Sequence, residues 1–179
     1  MLSYESLARQ KAAAYLLFHR SAFVVPAQRL MNVTGTIDAI LNQKSGEIWS
    51  VSPESMVYDA VALMAEKNVG ALVVLQNNQL VGIISERDYT RKVMLRGKRS
   101  RETAVREIMS TQLTTVEPKE SVDHCLQHMT DKRVRHLPVV EKGQLRGVIS
   151  IGDLVKHVIS VQSATLQQLE SYISGGYAG

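Results

Sequence analysis

The sequence predicts a mixed α/β (α+β) fold in which two β-α-β-β-α repeats pack face to face with pseudo-twofold symmetry. Three observations carry this expectation. Sliding the 179-residue chain along itself by 65 positions superposes two segments without a gap, with fifteen identities across the 45 positions 50–94; chance gives about one match in fifteen to twenty at average residue usage. Val51, Pro53, Met64, Val74, Gly82, Ser85 and Asp88 fall on Val116, Pro118, Met129, Val139, Gly147, Ser150 and Asp153, and self-similarity at a fixed period marks a duplicated structural unit. Both copies also pass through the same succession of strand-like runs and helical periodicity. Finally, units of about 45–60 residues bury too little surface to be secure alone, so the copies are expected to pack together and leave a pair of related clefts.

The elements follow in order. A short strand at 48–52 meets Pro53, and one at 113–116 meets Pro118; proline stops a strand and suits the start of a helix. Val57, Val61 and Met64 then share one helical face, as do Val122, Leu126 and Met129. β-rich runs at 71–75 and 137–140 lead through the polar turns Asn77-Asn78 and Lys142-Gly143 into returning strands at 80–84 and 145–149. Final helices are expected over 86–95 and 151–161. The organisation is an N-terminal extension (1–32), a first repeat (33–95), a linker (96–104), a second repeat (105–162), and a C-terminal helix and tail (163–179). In the tail, Leu166, Leu169, Tyr172 and Ile173 recur at helical spacing before Gly175-Gly176, the pattern of a docking or dimer helix with a glycine stop.

Composition narrows the function classes. Of the formal charge of +4, a local +3 lies in residues 1–30, where Arg9, Lys11, Arg20 and Arg29 face Glu5 alone. The remainder is close to neutral, so a global basic field for nucleic acid or anionic lipid is not expected. The linker carries Arg96, Lys98, Arg99 and Arg101 around Gly97, but lacks interleaved aromatics or a recognition-helix pattern and reads as a solvated loop. The single cysteine, Cys125, excludes an intramolecular disulfide framework and a multi-cysteine zinc site; it aligns with Ala60 and reads as a buried core thiol. The apolar stretch 12–18 falls far short of the roughly 20 residues of a membrane span, and no membrane partner is expected. The expected compartment is cytoplasmic, with the mitochondrial matrix as the alternative if the basic, acid-poor residues 1–30 are a transit peptide. Those residues otherwise read as a loose extension, or as sequence upstream of a start at Met31.

The motif that carries chemistry ends a strand in each copy: Gly82-Ile83-Ile84-Ser85-Glu86-Arg87-Asp88 and Gly147-Val148-Ile149-Ser150-Ile151-Gly152-Asp153. It sets a hydroxyl and a carboxylate in the first turn of the following helix, where amides are unpaired. A carboxylate so placed can accept both hydroxyls of a ribose, as an acidic residue does in dinucleotide folds. The same spacing is also a near capping box, and both readings stand. His124 and His128 are spaced as two ligands on a helix would be, without the glutamate of the metalloprotease pattern or an obvious third ligand; they read as a surface helix, and no metal site is expected. Neither a Walker-type loop nor a nucleophile–base pair emerges, so the chain is not expected to be an enzyme.

The duplicated unit, its Gly-h-h-Ser-x-x-Asp ending and the string Arg135-His136-Leu137-Pro138-Val139 resemble a tandem CBS-domain pair, the Bateman module, over roughly residues 33–162. Ser85-Glu86-Arg87-Asp88-Tyr89 and Leu169-Glu170-Ser171-Tyr172-Ile173 are similar to small stand-alone CBS-pair proteins. The resemblance implies a regulatory module, with no required cofactor, whose inter-repeat clefts take adenosine ligands: AMP, ADP, ATP, NAD(H) or S-adenosylmethionine. Asp153 would hold the ribose diol and Ser150 the ribose or phosphate. Thr115, Val116, Leu137, Pro138 and Ile149 would flank the adenine through apolar contacts and backbone amides. Arg135 and His136 would face phosphate, a task that suits the planar guanidinium.

The copies differ where this matters. Gly70-Ala71 replace Arg135-His136, Val73 replaces Pro138, and Arg87 stands where the second copy has Gly152. The favoured site is therefore the one on Ser150 and Asp153 with Arg135 and His136, joined by Arg87 across the cleft. A weaker one uses Val51, Ala71, Ile84, Ser85, Arg87 and Asp88. The expectation is an adenine-nucleotide sensor, homodimeric, acting on an unidentified protein. A ligand-free dimerisation scaffold, in which Ser-x-x-Asp only caps helices, is the first alternative, and nucleic-acid binding through the linker the second.

Overall fold

Tight turns fix the register of each repeat. The chain is described by a computed structural model over residues 35–44 and 46–175; the expected extension (1–32) and the end of the tail (176–179) lie outside the described residues. In order, the elements are α1 (Ile37–Leu41), β1 (Ser50–Val51), α2 (Val57–Lys67), β2 (Ala71–Gln76), β3 (Gln79–Ser85), α3 (Glu86–Lys92), α4 (Val122–Lys132), β4 (His136–Glu141), β5 (Gln144–Ser150) and α5 (Ile151–Gly175), with single 3-10 turns at Met94–Arg96 and Val105–Glu107. Asn77 and Asn78 have φ of 50° and 62°, and Lys142 and Gly143 have 50° and 78°. Two successive positive φ angles give the hairpin turn whose twist matches antiparallel strands. The hairpins then run in identical register, Ala71↔Ser85 in one and His136↔Ser150 in the other, with matching irregularities after Val74 and Val139.

The repeats diverge at their first strand. β1 pairs in parallel with β2 through Ser50↔Val73 and Val51↔Val74. In the second copy the strand expected at 113–116 reduces to one parallel bridge, Val116↔Val139, in which Val116 N–H donates to the Pro138 carbonyl (3.1 Å) and Val140 N–H to Val116 (2.9 Å). Pro138 occupies the position of Val73 and has no N–H, so the bond that would extend the ladder toward Thr115 cannot form. The final helices diverge too. The first stops at Lys92 and turns through Met94–Arg96 into Gly97 at φ 63°, a left-handed position that favours glycine. The second meets no glycine or proline between Gly152 and Gly175 and runs on for 25 residues, so the expected tail helix is the continuation of α5.

The hydrophobic cores cut across the sequence repeat. The core beneath α4 and the β4–β5 hairpin gathers Val122, Cys125, Met129, Leu137, Ile149 and Leu154, and takes Ile37 and Ile40 from α1. The core beneath α2 and the β2–β3 hairpin gathers Val57, Ala60, Met64, Leu72, Val74 and Ile84, and takes Val105 and Ile108 from beyond the linker. Each repeat thus lends its leading segment to the other. The backbone seals the exchange twice: Ile37 N–H donates to the Glu120 carbonyl (3.0 Å), Asp38 to Pro118 (2.9 Å) and Val122 to Gly35 (3.2 Å), mirrored by Val105 to Ser55, Arg106 to Pro53 and Val57 to Thr103, each at 2.9 Å. Three of the linker's four cations are engaged within the chain: Lys98 pairs with Glu107 (3.1 Å), Arg99 with Glu102 (3.0 Å), and the Arg101 guanidinium stacks 3.6 Å from the Tyr58 ring centroid. Trp49 packs beside the core beneath α2 and the β2–β3 hairpin, with Lys67 Nζ 4.3 Å from its ring centroid.

The motif glycines admit these exchanged segments. A Cβ on Gly147 would lie 2.7 Å from Leu41 Cδ2; one on Gly82 would lie 2.8 Å from Met109 Sδ and 3.2 Å from the Ser110 carbonyl oxygen. Leu41 can swing its side chain, whereas Ser110 is pinned to Ile83 by two backbone hydrogen bonds of 3.0 and 2.9 Å. Gly82→Ala is expected to destabilise by about 1–3 kcal/mol, the usual cost of overpacking, and Gly147→Ala by clearly less. Urea midpoints of the two variants measure the order, and equal losses would contradict the reading.

Candidate functional site

Both Ser-x-x-Asp motifs close a strand–helix junction. Ser85 ends β3 and caps α3: its Oγ accepts from Asp88 N–H (3.3 Å), while Asp88 Oδ2 accepts from the Ser85 N–H (3.1 Å) and hydroxyl (2.6 Å). At the second junction Asp153 N–H donates to Ser150 Oγ (3.2 Å), and Asp153 Oδ2 accepts from the Ser150 N–H (2.7 Å) and hydroxyl (2.8 Å). The motif is therefore a reciprocal cap in both copies. A cap also holds the carboxylate in one orientation, which is what a ribose-binding group needs.

The carboxylates differ in what else they meet. Asp88 Oδ1 pairs with Lys92 Nζ one turn along α3, at 2.8 Å. Asp153 Oδ2 takes Lys44 Nζ at 2.9 Å, and the same ammonium donates to the Val148 carbonyl at 3.0 Å. Burial pushes the Asp153 pKa upward, but the Lys44 hydrogen bond, the Ser150 amide and hydroxyl, and the Lys44 charge together outweigh it and hold the carboxyl below its ordinary value.

A cavity of about 350 Å³ opens between the repeats beside Asp88. Ser85, Glu86, Arg87, Asp88, Arg91 and Lys92 line one side; Leu113, Thr114, Arg133, Val134, Arg135, His136 and Pro138 line the other. Arg87 crosses the seam and donates through Nη1 to the Arg133 carbonyl at 3.1 Å. Gly70 leaves room for the imidazole of His136: a Cβ there would lie 3.4 Å from both Cε1 and Nε2. Glycine at the position equivalent to Arg135 thus admits the partner repeat's histidine. Burial lowers the pKa of His136; Asp153 opposes the shift, while Lys44 and Arg135 reinforce it. A second, wider cavity of about 740 Å³ lies between the hairpin ends and is lined in part by Leu75, Leu80, Leu113, Thr115, Val140 and Leu145.

The structure thus brings Ser85, Arg87, Asp88, Arg135, His136 and Pro138 to one cavity and places Thr115 at the other. Ser150 and Asp153 line neither. Ile84, Val116, Leu137 and Ile149 are buried in the cores, Ala71 is buried, and Val51 packs against the core beneath α2 and the β2–β3 hairpin. Strand alternation turns such side chains inward, leaving contact with a ligand to their backbone. Sequence reasoning missed Thr114, Arg133 and Lys44. Arg133 is the left-handed cap of α4 (φ 54°), equivalent to Asn68 (φ 52°); its position two residues before Arg135 was the signal at hand, but that it lines the cavity is decided by the fold. Lys44 approaches Asp153 from 109 residues away, which no local pattern signals. Cys125 is fully buried, and burial first, then the Glu120 charge, pushes its thiol up to about 12.

Among the described residues no helix is long and apolar enough to cross a membrane. Comparison with known proteins gives a consistent result. The profile of the CBS domain matches residues 44–95 and 105–160. The Arabidopsis thaliana protein CBSX3, a mitochondrial CBS domain-containing protein, is 44% identical over 135 residues, covering 73% of this chain and 65% of that protein; this chain therefore spans somewhat under two thirds of that relative. A solved CBS-domain protein from Burkholderia ambifaria is 48% identical, with a TM-score of 0.69 over 70% of this chain and 94% of that one. The CBS-domain pair of protein MJ0100, solved with 5′-methylthioadenosine and S-adenosyl-L-methionine, has a TM-score of 0.60 at 22% identity over 68% of this chain and 93% of that one, a likeness of fold. With a duplicated β-α-β-β-α unit, exchanged leading segments and two profile matches in tandem, the chain belongs to the CBS domain family.

Proposed function

We propose that the protein is an adenine-nucleotide sensor, regulatory rather than catalytic, and that the cavity beside Asp88 is a nucleotide site. The observation that carries this reading is the set of charged side chains that line that cavity. The cap-oriented Asp88 carboxylate, paired with Lys92, lines it together with Arg87, Arg91, Arg133, Arg135 and His136, contributed by both repeats. A ribose diol suits the carboxylate, phosphates suit the guanidiniums, which engage their oxygens bidentately, and Ile83, Leu113 and Pro138 offer apolar surface to a base. The volume falls in the range of about 300–1,000 Å³ usual for small-molecule sites. The adenosine-derived ligands of the MJ0100 pair support the ligand class; AMP, ADP, ATP and NAD(H) are the forms whose phosphates use the arginines. A related position at Ser150 and Asp153, reached through the backbone of Val116, Leu137 and Ile149, would require a ribose to displace Lys44 from Oδ2, as one at Asp88 must displace Lys92 from Oδ1.

A ligand spanning the seam favours one arrangement of the repeats only by its differential affinity for it, and a regulated protein can read that arrangement. Homodimerisation is supported by Val155, Ile159, Leu166, Leu169 and Ile173, exposed on α5 at the spacing of a coiled-coil seam. The name of the Arabidopsis relative supports the mitochondrial alternative for location; the cytoplasmic one follows if residues 1–30 are not a transit peptide, and N-terminal sequencing of the native protein separates the two.

Side-by-side titration with AMP, ATP, NADH and S-adenosylmethionine tests the reading. At least one should raise Tm, as binding to the folded state requires, and Arg135→Gln, which leaves both caps intact, should weaken a phosphate-bearing ligand by about tenfold or more. A Tm unmoved by every ligand would instead favour the scaffold, in which Ser85→Ala costs only the about 0.5–2 kcal/mol of a lost cap. Lys44→Ala should raise the number of nucleotides bound per chain, and an unchanged stoichiometry would remove the Asp153 position from the proposal. Because His136 is held below 6.5 when folded, the unfolded chain binds its proton first: the stability it contributes is present above pH 6.5 and lost as pH falls below it. His136→Gln should flatten that loss between pH 7 and 5, and saturating nucleotide should reduce it, since phosphate favours the imidazolium. A wild-type profile identical to that of His136→Gln would contradict the assignment.

A further inference from the structure

We infer that Glu120, His124 and His128 form a surface binding site for a nitrogen-seeking divalent cation of the late first transition row, separate from both inter-repeat cavities. The two histidines stand one turn apart on α4, and the structure supplies the third group that their spacing alone lacked. Glu120 Oε2 lies 2.9 Å from His124 Nδ1, and His124 Nε2 lies 2.8 Å from His128 Nε2. All three residues offer a ligand atom within 4.8 Å of the others.

The chemistry follows from the tautomers. With its Nδ1–H donated to the Glu120 carboxylate, neutral His124 turns the lone pair of Nε2 toward His128. The two Nε2 atoms can share that space only through a proton on one of them, or through a cation bound to both. This is the carboxylate–histidine–metal arrangement, in which the carboxylate fixes the tautomer and raises the basicity of the ligand. Metal–nitrogen distances of about 2.0–2.1 Å across a 2.8 Å gap give an angle of about 86° at the metal. That fits two adjacent positions of a square-planar or octahedral ion such as Ni²⁺ or Cu²⁺. Tetrahedral Zn²⁺ needs the nitrogens about 3.3 Å apart, a half-ångström opening that side chains on an outer helix face can make. Imidazole nitrogen selects this group of ions over Mg²⁺ and Ca²⁺, which take oxygen ligands. The opposite face of α4 holds Val122, Cys125 and Met129 in the core, so the ion would staple a helix whose inner face is already fixed.

The test is calorimetric titration of the full, chelator-stripped chain with NiCl₂ and then ZnCl₂, without nucleotide and in a non-coordinating buffer. Wild type should bind and gain Tm, and His124→Ala and His128→Ala should each lose at least tenfold in affinity. Alanine on this outer face keeps the helix, and circular dichroism checks it. Glu120→Gln should weaken binding by about 10–100-fold, as loss of an orienting carboxylate does. Mg²⁺ should not compete. Wild-type affinity in both histidine variants, or no uptake of either ion by wild type, would overturn the site; wild-type affinity in Glu120→Gln would overturn the orienting role of the carboxylate.

Discussion

The reciprocal exchange of leading segments is the constraint on which the rest of this structure depends. Neither repeat completes its own hydrophobic core: Ile37 and Ile40 belong by sequence to the first copy and by packing to the second, and Val105 and Ile108 do the reverse. A unit of about 50 residues buries too little apolar surface to be stable alone, and the exchange makes two such units one cooperative body. Six mirrored backbone hydrogen bonds hold it. It also explains why the returning strand of each copy carries a glycine, because Leu41 and Met109 lie where a side chain would project.

The exchange determines what the seam can present. With the copies tied at their leading segments, the strand–helix junction of one repeat faces the beginning of the hairpin of the other, and Asp88 comes to border the same cavity as Arg133, Arg135 and His136. The near-symmetry of the scaffold makes the differences between its halves chemical ones. Glycine at 70 admits the imidazole of His136, proline at 138 shortens the first pairing of the second repeat, and Lys44 pairs with Asp153 while the equivalent Asp88 pairs with a lysine of its own helix. Two junctions of the same design therefore differ in charge and in access.

Much of this was legible beforehand. The 65-residue period, the helix faces and the Asn77-Asn78 and Lys142-Gly143 turns are local patterns, and local patterns map onto local geometry. So are the two Ser-x-x-Asp motifs, which fold as caps whatever else they do. The grouping of the site residues was less legible. The resemblance groups Arg135 and His136 with Asp153 as phosphate-facing positions; in the structure they line the cavity that Asp88 borders. Arg133 lines that cavity from the left-handed cap of α4, and Thr114 lines it while Thr115 lines the other, a placement that sequence spacing does not encode. His124 and His128 were visible as a pair, but Glu120 precedes the helix and reaches Nδ1 only through the geometry of its first turn.

The sequence by itself determined the duplication, the element order, the caps and the turns, because each is specified by residues within a few positions of one another. Only the tertiary structure decided which repeat completes which core, which distant lysine reaches the Asp153 carboxylate and which charges share a cavity. Those outcomes depend on contacts such as that between Lys44 and Asp153, 109 residues apart, where burial and electrostatics act between surfaces that meet only once the chain has folded.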